Sequence, residues 1–495
     1  MARISLAEIA AAMRGDLAPG TAPEHAAGGG QGGGPAEEAG PLGERMVSGY
    51  SIDSRTLQAG DLFFAIAGPR VDGHEFIGAA VRRGAAAVVV ARGAGGAWHE
   101  APAAIRVADT TRALQDLGAH VRRRRGLRVV GITGSAGKTT AKEMTAAILA
   151  TRFRTFRSEG NLNNTYGLPL TLLRMADDSE AAVLEMGMSS KGEIARLTEI
   201  ADPDVGVILN ILRVHLEHFG SLEGIAAAKG ELFAGMRQDA VAIYNADDPR
   251  ATKLGRAFRG RSIGYGLTTK GCEITADTIA TVGLEGTRFV LRRGEERIPV
   301  RLALLGRHQV YNALAAAASG YACGLAGDAI AHGLAEVRPA PMRGVLHRRP
   351  DGVEILDDSY NSNPTAMERA IDLLKEAKPR GRRILATGDM LELGTYEGRA
   401  HAKVGQLAAR AGFDMLVAVG PRSRDAADAA RHARGTPAGG AAGAIEVRHF
   451  ETADDAAAFL APAVRPGDLV LVKGSRGMKM EILVQALLHT AEGTH

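Results

Sequence analysis

The stretch Gly131-Ile132-Thr133-Gly134-Ser135-Ala136-Gly137-Lys138-Thr139-Thr140 constrains this chain more than any other. It follows the apolar run 127–133, which reads as a short buried strand, and it opens onto 141–149, where apolar residues recur at helical spacing. Strand, glycine turn, Lys-Thr and helix together make a cradle for phosphate. The glycines let backbone N–H groups approach the oxygens, and the helix N-terminus adds partial positive charge. The lysine reaches the terminal phosphates, and the threonine hydroxyl suits Mg²⁺. The usual spacing places a glycine five residues before Gly137, where this chain has Ile132. The first loop glycine is Gly134, so the loop is a shortened variant. A plain glycine-rich turn with a surface lysine is the bland alternative, and the flanking strand and helix weigh against it.

A length of 495 residues corresponds to about three domains. Aromatic residues make up only 4% of the chain, so its cores must be built from Val, Leu, Ile and Ala. The net charge of +4 is small for this length, and the run Arg122–Arg125 reads as a solvated helix face. No nucleic-acid partner is expected. Cys272 and Cys323 lack metal or redox spacing and fit a reducing compartment. No stretch approaches the ~18 uninterrupted apolar residues of a membrane span, and the N-terminus has no signal-peptide core. A cytoplasmic protein with no membrane span is expected, and a monomer.

Three regions follow one another. The first, 1–127, reads as a small α/β unit with strands near 60–67 and 85–91 and a helix at 76–84. Residues 17–45 are Gly/Pro-rich, too poor in apolar side chains to offset their ordering entropy, and read as a disordered surface insertion. The stretch 434–444 is a loop of the same composition. The second region, 128–340, carries the phosphate loop. Its strand 181–185 ends in Glu185, and a carboxylate at a parallel strand's C-terminal end lies beside the phosphate loop, placed to hold Mg²⁺. An ordinary strand-end glutamate is the competing reading. Residues 261–303 alternate like antiparallel strands. The third region, 341–495, alternates strands at 353–357, 383–388, 414–420, 446–450 and 468–473 with helices, the pattern of a doubly wound parallel sheet. Pro364 after Asn363 marks a helix start. The substrate site is expected in the clefts between the three domains.

The ordered set Thr133–Thr140, Glu185, Asn210 to His215, Ala228-Lys229-Gly230-Glu231-Leu232, Gly306 to Asn312, Arg343-Gly344 and Asp357–Pro364 resembles the Mur ligases, which add amino acids to the nucleotide-linked peptidoglycan precursor. The match covers nearly the whole chain apart from the two low-complexity stretches. Within that family, Asp358-Ser359-Tyr360-Asn361-Ser362-Asn363-Pro364 and Gly388–Gly394 are similar to the members that add D-alanyl-D-alanine to UDP-N-acetylmuramoyl-tripeptide. The implied fold is α/β in three domains. These are a small N-terminal domain for the UDP precursor, a central P-loop ATPase-type parallel sheet with added antiparallel strands, and a C-terminal Rossmann-like domain for the dipeptide.

The resemblance also implies roles. Gly134, Ser135, Ala136, Gly137, Lys138, Thr139 and Thr140 would hold the phosphates of ATP. Thr139, Glu185, His215 and Lys229 would hold Mg²⁺, two ions in all, with Lys229 carbamylated. Lys138, Lys229 and His215 would be catalytic. Asn312 would contact adenine, Arg343 phosphate and Asp358 the ribose, with Asp357 as a substitute. The family often has His-Asn where this chain has His308-Gln309. Asp53, Ser54 and Arg55 fall where the UDP binds, although they also read as a turn with a local ion pair. Asn161, Asn163 and Asn164 lie where the peptide and muramoyl group pass, and Tyr360, Asn361 and Asn363 where the dipeptide sits. His218 has no matching role. The alternatives are a ligase of the same fold adding a single amino acid or folate glutamates, a P-loop ATPase of another class, and a nucleotide-binding module without catalysis. Segment 358–364 discriminates among the ligases.

Overall fold

A computed structural model describes residues 4–20, 41–68, 71–158, 160, 162–213, 219–375, 377, 379–433 and 444–489. Three α/β sheets follow one another along the chain, with one antiparallel sheet between the second and third.

The first sheet runs Asp16–Pro19, Ala103–Val107, Ala87–Ala91, Asp61–Phe64, Gly49–Ser51, antiparallel only at its first pair. The Gly/Pro-rich region is therefore narrower than 17–45. Residues 16–19 pair with 103–106, Leu17 packs on the first core, and Leu42–Glu44 forms a helical turn. A ladder of backbone hydrogen bonds orders residues whose composition alone would not. Residues 21–40, like 434–443, lie outside the described residues.

The second sheet is wholly parallel, in the order Arg261–Tyr265, Val241–Asn245, Val205–Ile208, Arg128–Thr133, Ala181–Glu185, Thr155–Arg157. Its inner strands are buried on both faces, which is why they read as unbroken Val/Ile/Leu runs. One face carries the phosphate-loop helix Lys138–Ala150 and the alanine-rich helix Arg307–Ala322. Alanine is the residue that lets these helices approach closely, and residues 313–318 are all buried. The antiparallel strands Thr275–Thr281, Thr287–Arg293 and Glu296–Leu302 extend that core, but the expected antiparallel stretch 261–303 is too long at its start, because Arg261–Tyr265 pairs parallel with Val241–Asn245 as the edge of the second sheet.

The expected boundary at 127 falls just after a shared helix. Thr110–Arg124, capped by Asp109, buries Leu114, Leu117 and Val121 in the first core together with Leu170 and Leu173 from the second region. Arg122, 6% exposed, donates to the carbonyls of Ala201 and Asp202, each at 2.9 Å. The run Arg122–Arg125 is thus not a uniformly solvated face, because Arg122 is a buried strut.

The third sheet runs Val345–Arg348, Glu354–Asp358, Leu469–Lys473, Arg383–Gly388, Met415–Val419, Glu446–Phe450. It is parallel except at its first, unanticipated edge pair. The last strand inserts between the first two parallel ones. The C-terminal ends of Glu354–Asp358 and Leu469–Lys473 therefore lie side by side, with Asp358 in register with Lys473. At the opposite end Asp468, 1% exposed, accepts from the backbone N of Arg382 and of Arg465, both at 2.8 Å, and from Arg382 Nη2 at 2.7 Å.

Replacing Asp468 by Ala strands the Arg382 guanidinium and two backbone donors. The expected loss is about 3–5 kcal/mol, the usual cost of removing one partner of a buried pair. A urea titration followed by circular dichroism reads it.

Candidate active site

The phosphate loop is clamped by side chains that follow the neighbouring strand and by its own serine. Asn210, at the exit of Val205–Ile208, exchanges two 2.9 Å bonds with Ala136: its Oδ1 accepts from the backbone N and its Nδ2 donates to the carbonyl. Ser135 Oγ accepts from Leu212 N at 2.9 Å. Gly137 starts the helix with φ +85°, a conformation that glycine adopts without strain. A Cβ there would also lie 2.5 Å from Asn312 Oδ1. Asn312 is steadied from behind, donating to Gln309 Oε1 at 2.9 Å, so the His308-Gln309 departure keeps an acceptor for it.

Lys138 Nζ bends back onto the Gly134 carbonyl at 3.0 Å. Burial lowers its pKa, with Glu185 opposing the shift and Arg343 adding to it. Thr139 Oγ1 donates to Glu185 Oε2 at 2.9 Å, and Asn163 Nδ2 donates to Glu185 Oε1 at 2.8 Å. A hydroxyl and a carboxylate this close are hard oxygen donors suited to Mg²⁺. Among the described residues no three His, Cys, Asp or Glu side chains gather as a metal cluster. That donor set fits a cation that keeps water and phosphate oxygens rather than one held in an all-protein cage. His215, like Asn161, lies outside the described residues.

Lys229 lies on the helix Leu222–Gly235, whose Ser221 cap accepts from Gly224 N. It is 3% exposed and makes no ion pair or hydrogen bond among the described residues. Burial, and then the charge of Lys138, push its amine well below the usual lysine value.

The opposite wall belongs to the third sheet. A cavity of about 650 Å³ is lined by Ser135–Thr140, Asn163 and Glu185 on one side and by Arg343, Asp358, Tyr360, Asn361 and Asn363 on the other. Lys473, buried at the end of its strand, donates to Asp358 Oδ2 at 2.5 Å and to the Asn361 carbonyl at 3.0 Å. Asp357 points away from the cavity, and its Oδ1 accepts from Ser359 Oγ at 2.6 Å, so it does not stand in for Asp358. The Arg343 guanidinium lies 4.0 Å from the Tyr360 ring centroid. Asn363 Oδ1 accepts from Ala366 N at 2.9 Å, capping the helix Pro364–Lys375 as Pro364 predicted.

Some expected residues are employed otherwise. Asn164 Oδ1 accepts from Gly167 N at 2.8 Å and starts the helix Gly167–Arg174. Asp53, Ser54 and Arg55 do not line this cavity. Asp53 forms the local ion pair with Arg55 at 2.7 Å, which holds its carboxyl down at about 2. Several cavity residues were not anticipated. Lys473 ends the apolar run Leu469–Val472, a strand-end position that could have been read as Glu185 was. Tyr311, which donates to Asp247 Oδ2 at 2.8 Å, and Asp247 itself carry no local signal.

Three domain families match the chain: the Mur ligase family catalytic domain over 46–147, the Mur ligase middle domain over 132–320, and the Mur ligase glutamate ligase domain over 342–476. The UDP-N-acetylmuramoyl-tripeptide–D-alanyl-D-alanine ligase of Bacillus subtilis is 37% identical over 448 residues, covering 90% of this chain and 94% of the relative. A crystal structure of MurF from Acinetobacter baumannii superposes with a TM-score of 0.84 at 30% identity, covering 99% of both chains. MurF ligase from Thermotoga maritima in complex with ADP superposes with a TM-score of 0.77 at 28% identity, covering 90% of this chain and 98% of that one.

Gly137→Ala imposes left-handed strain of about 1–2 kcal/mol and forces Asn312 aside. The Kd for ADP by calorimetry is expected to rise at least about tenfold, a loss of 1.4 kcal/mol or more, with the far-ultraviolet circular dichroism unchanged.

Proposed function

The chain belongs to the Mur ligase family, and from that footing we propose how its cleft works as an ATP-dependent, ADP-forming ligase joining D-alanyl-D-alanine to UDP-N-acetylmuramoyl-tripeptide in peptidoglycan synthesis. The observation that carries the assignment is the segment Asp358–Asn363 facing the phosphate loop across one cavity. An incoming amine on that wall meets an acyl group activated on the other.

The reaction balances in two steps. The tripeptide's terminal carboxylate attacks the γ-phosphorus of ATP, the bond to the bridging oxygen breaks, and ADP leaves. The dipeptide amine then attacks the acyl phosphate, a tetrahedral adduct forms, and phosphate departs as the amide is made. The first step brings an anion onto an anion. At 4 Å and an effective dielectric near 20, each such pair costs about 4 kcal/mol. Lys138 and Arg343, on opposite walls, neutralise the γ-phosphate and its developing charge. Thr139 and Glu185 would hold Mg²⁺, which would supply further charge neutralisation. Asn163 fixes the free carboxylate oxygen of Glu185 so that the other side faces the loop.

Lys229 is the residue to carry the carbamate. Burial and the neighbouring charge of Lys138 lower its pKa, which favours the neutral, nucleophilic form of the amine. Its attack on CO₂ makes a carbamate and releases a proton. The product is an anion beside the cationic Lys138. With His215, it would complete a site for a second Mg²⁺.

We assign Asn312 to adenine and Asp358 to the ribose, with Lys473 holding Asp358 in place. Tyr360, Asn361 and Asn363 take the dipeptide. Asp53, Ser54 and Arg55 take the UDP group, Arg55 exchanging the carboxylate of Asp53 for phosphate. Asn161, Asn163 and the backbone around Asn164 guide the muramoyl peptide. The domains 1–127, 128–340 and 341–495 bind precursor, ATP and dipeptide in turn. We place the enzyme in the cytoplasm as a monomer. Cys272 and Cys323 are free thiols, and among the described residues no helix is long and apolar enough to cross a membrane.

The deciding assay offers the purified protein ATP, the tripeptide precursor and one of D-alanyl-D-alanine, D-glutamate or diaminopimelate. ADP release is expected only with the dipeptide; turnover with a single amino acid and none with the dipeptide would sink the assignment. For Lys229, intact-mass or crystallographic detection of added CO₂ is expected. Because its pKa is lowered, the amine loses its proton at a lower pH than an ordinary lysine. Activity should therefore depend on bicarbonate at pH 7 and not only in alkali, and Lys229→Ala should abolish that dependence along with most of the activity.

A further inference from the structure

We propose that Lys142 is a positioning residue for Glu185, acting through Ser158 to hold the carboxylate where the metal binds. Lys142 lies one helical turn beyond Lys138, yet it does not line the cavity. Its side chain runs into the interior and is among the largest fully buried side chains, 1% exposed. Burying a cation costs several kcal/mol unless its donors are met. A residue there merely to fill space would be apolar, as its buried neighbours Ala141 and Met144 are.

The donors of Lys142 are met in a particular way. Nζ donates to the Ser158 carbonyl at 2.5 Å and lies 3.1 Å from Glu143 Oε1. Glu143 in turn holds Arg157 Nε at 2.7 Å. Two successive residues of the phosphate-loop helix therefore grip the end of the edge strand Thr155–Arg157. That strand has three residues and one neighbour, so its own ladder is weak. Ser158 continues past it, donating from its N to the Val183 carbonyl at 3.1 Å, and it is 2% exposed.

From Ser158 the chain of contacts reaches the site. Ser158 Oγ accepts from the backbone N of Glu185 at 3.1 Å. Glu185 Oε2 then accepts from Thr139, and Oε1 from Asn163. The helix that presents Thr139 to the metal thus also fixes, three residues later, the main chain of the opposing ligand. Thr139 and Glu185 are set against each other from both ends, so their oxygens keep a separation that suits one small, rigidly coordinated cation. Groups beyond the direct ligands that orient them are worth about 10–100-fold in metal affinity.

The inference rests on Glu185 and Thr139 holding Mg²⁺, and the test separates the two. The quantity measured is the gain in ADP affinity that Mg²⁺ confers on the full-length protein, from calorimetry with and without the metal. Glu185→Ala is expected to remove that gain; if it does not, Glu185 is not a ligand. Lys142→Met is expected to cut the gain about tenfold or more while metal-free ADP affinity stays within about threefold. Ser158→Ala keeps the carbonyl that Lys142 grips and deletes only the hydroxyl that receives Glu185 N. It carries the test if Lys142→Met does not fold, and its expected loss is smaller, about threefold to tenfold. A wild-type gain in Ser158→Ala or in folded Lys142→Met, alongside a lost gain in Glu185→Ala, overturns the relay. An equal fall in ADP affinity with and without metal does the same.

Discussion

The hydrogen bond from Thr139 Oγ1 to Glu185 Oε2 joins the two supports on which the rest of the cleft depends. Thr139 belongs to the helix that the phosphate loop opens, and Glu185 to the neighbouring strand. A hydroxyl and one carboxylate would serve a metal only at a set separation. That separation is inherited from parallel pairing. Ile132, just before the loop, is in register with Glu185 across the ladder, so the strand delivers its carboxylate level with the phosphates. Every further contact in the cleft builds on this registration: the Asn210 clamp on Ala136, the Asn163 bond on Glu185, and Asn312 against Gly137.

Close approach is a second condition, and the composition serves it. With few aromatic side chains, the second core is assembled from alanines and short aliphatic residues. The helix Arg307–Ala322 therefore lies close enough for Asn312 to touch the loop at Gly137. Small side chains contribute less burial each, at about 25 cal/mol per Å² of apolar area. They permit tight packing over a large contact, and the positions that carry chemistry gain proximity from it. In the third sheet the same proximity comes from topology, because the returning strand Leu469–Lys473 places Lys473 directly beside Asp358.

Much of the fold was legible. The long parallel strands and their helices follow from apolar runs punctuated by glycine and from caps such as Asn363-Pro364. The strands that escaped notice, Asp16–Pro19, Thr155–Arg157 and Val345–Arg348, are short edge strands, as is Gly49–Ser51, whose three residues are too few to show a pattern, and Ala103–Val107 carries little contrast with its surroundings. An edge strand needs only one partner, so its pattern is weak. Site residues divide similarly. Lys138, Thr139, Glu185 and Asn312 sit in motifs whose spacing is itself the signal. Asn164 shows the limit of such spacing, since a side chain at a motif position can be committed to a helix cap.

The order of residues by itself determined that a phosphate loop exists, that a carboxylate ends the adjacent strand, and that a third α/β unit follows. These depend on local periodicity and on the few residue types that tolerate a tight turn. Only the tertiary structure decided that Asp358 rather than Asp357 faces the cavity, and that Lys473 holds it. The same is true of Arg122, buried in one run of four arginines, and of Lys142, which turns inward to Ser158 while Lys138 lines the cavity. The partners of Lys142, Arg122 and Asp358 lie 16, 79 and 115 residues away in the chain. Whether a charged side chain is solvated, paired or buried is set by what the folded neighbours place beside it, and no local pattern encodes that.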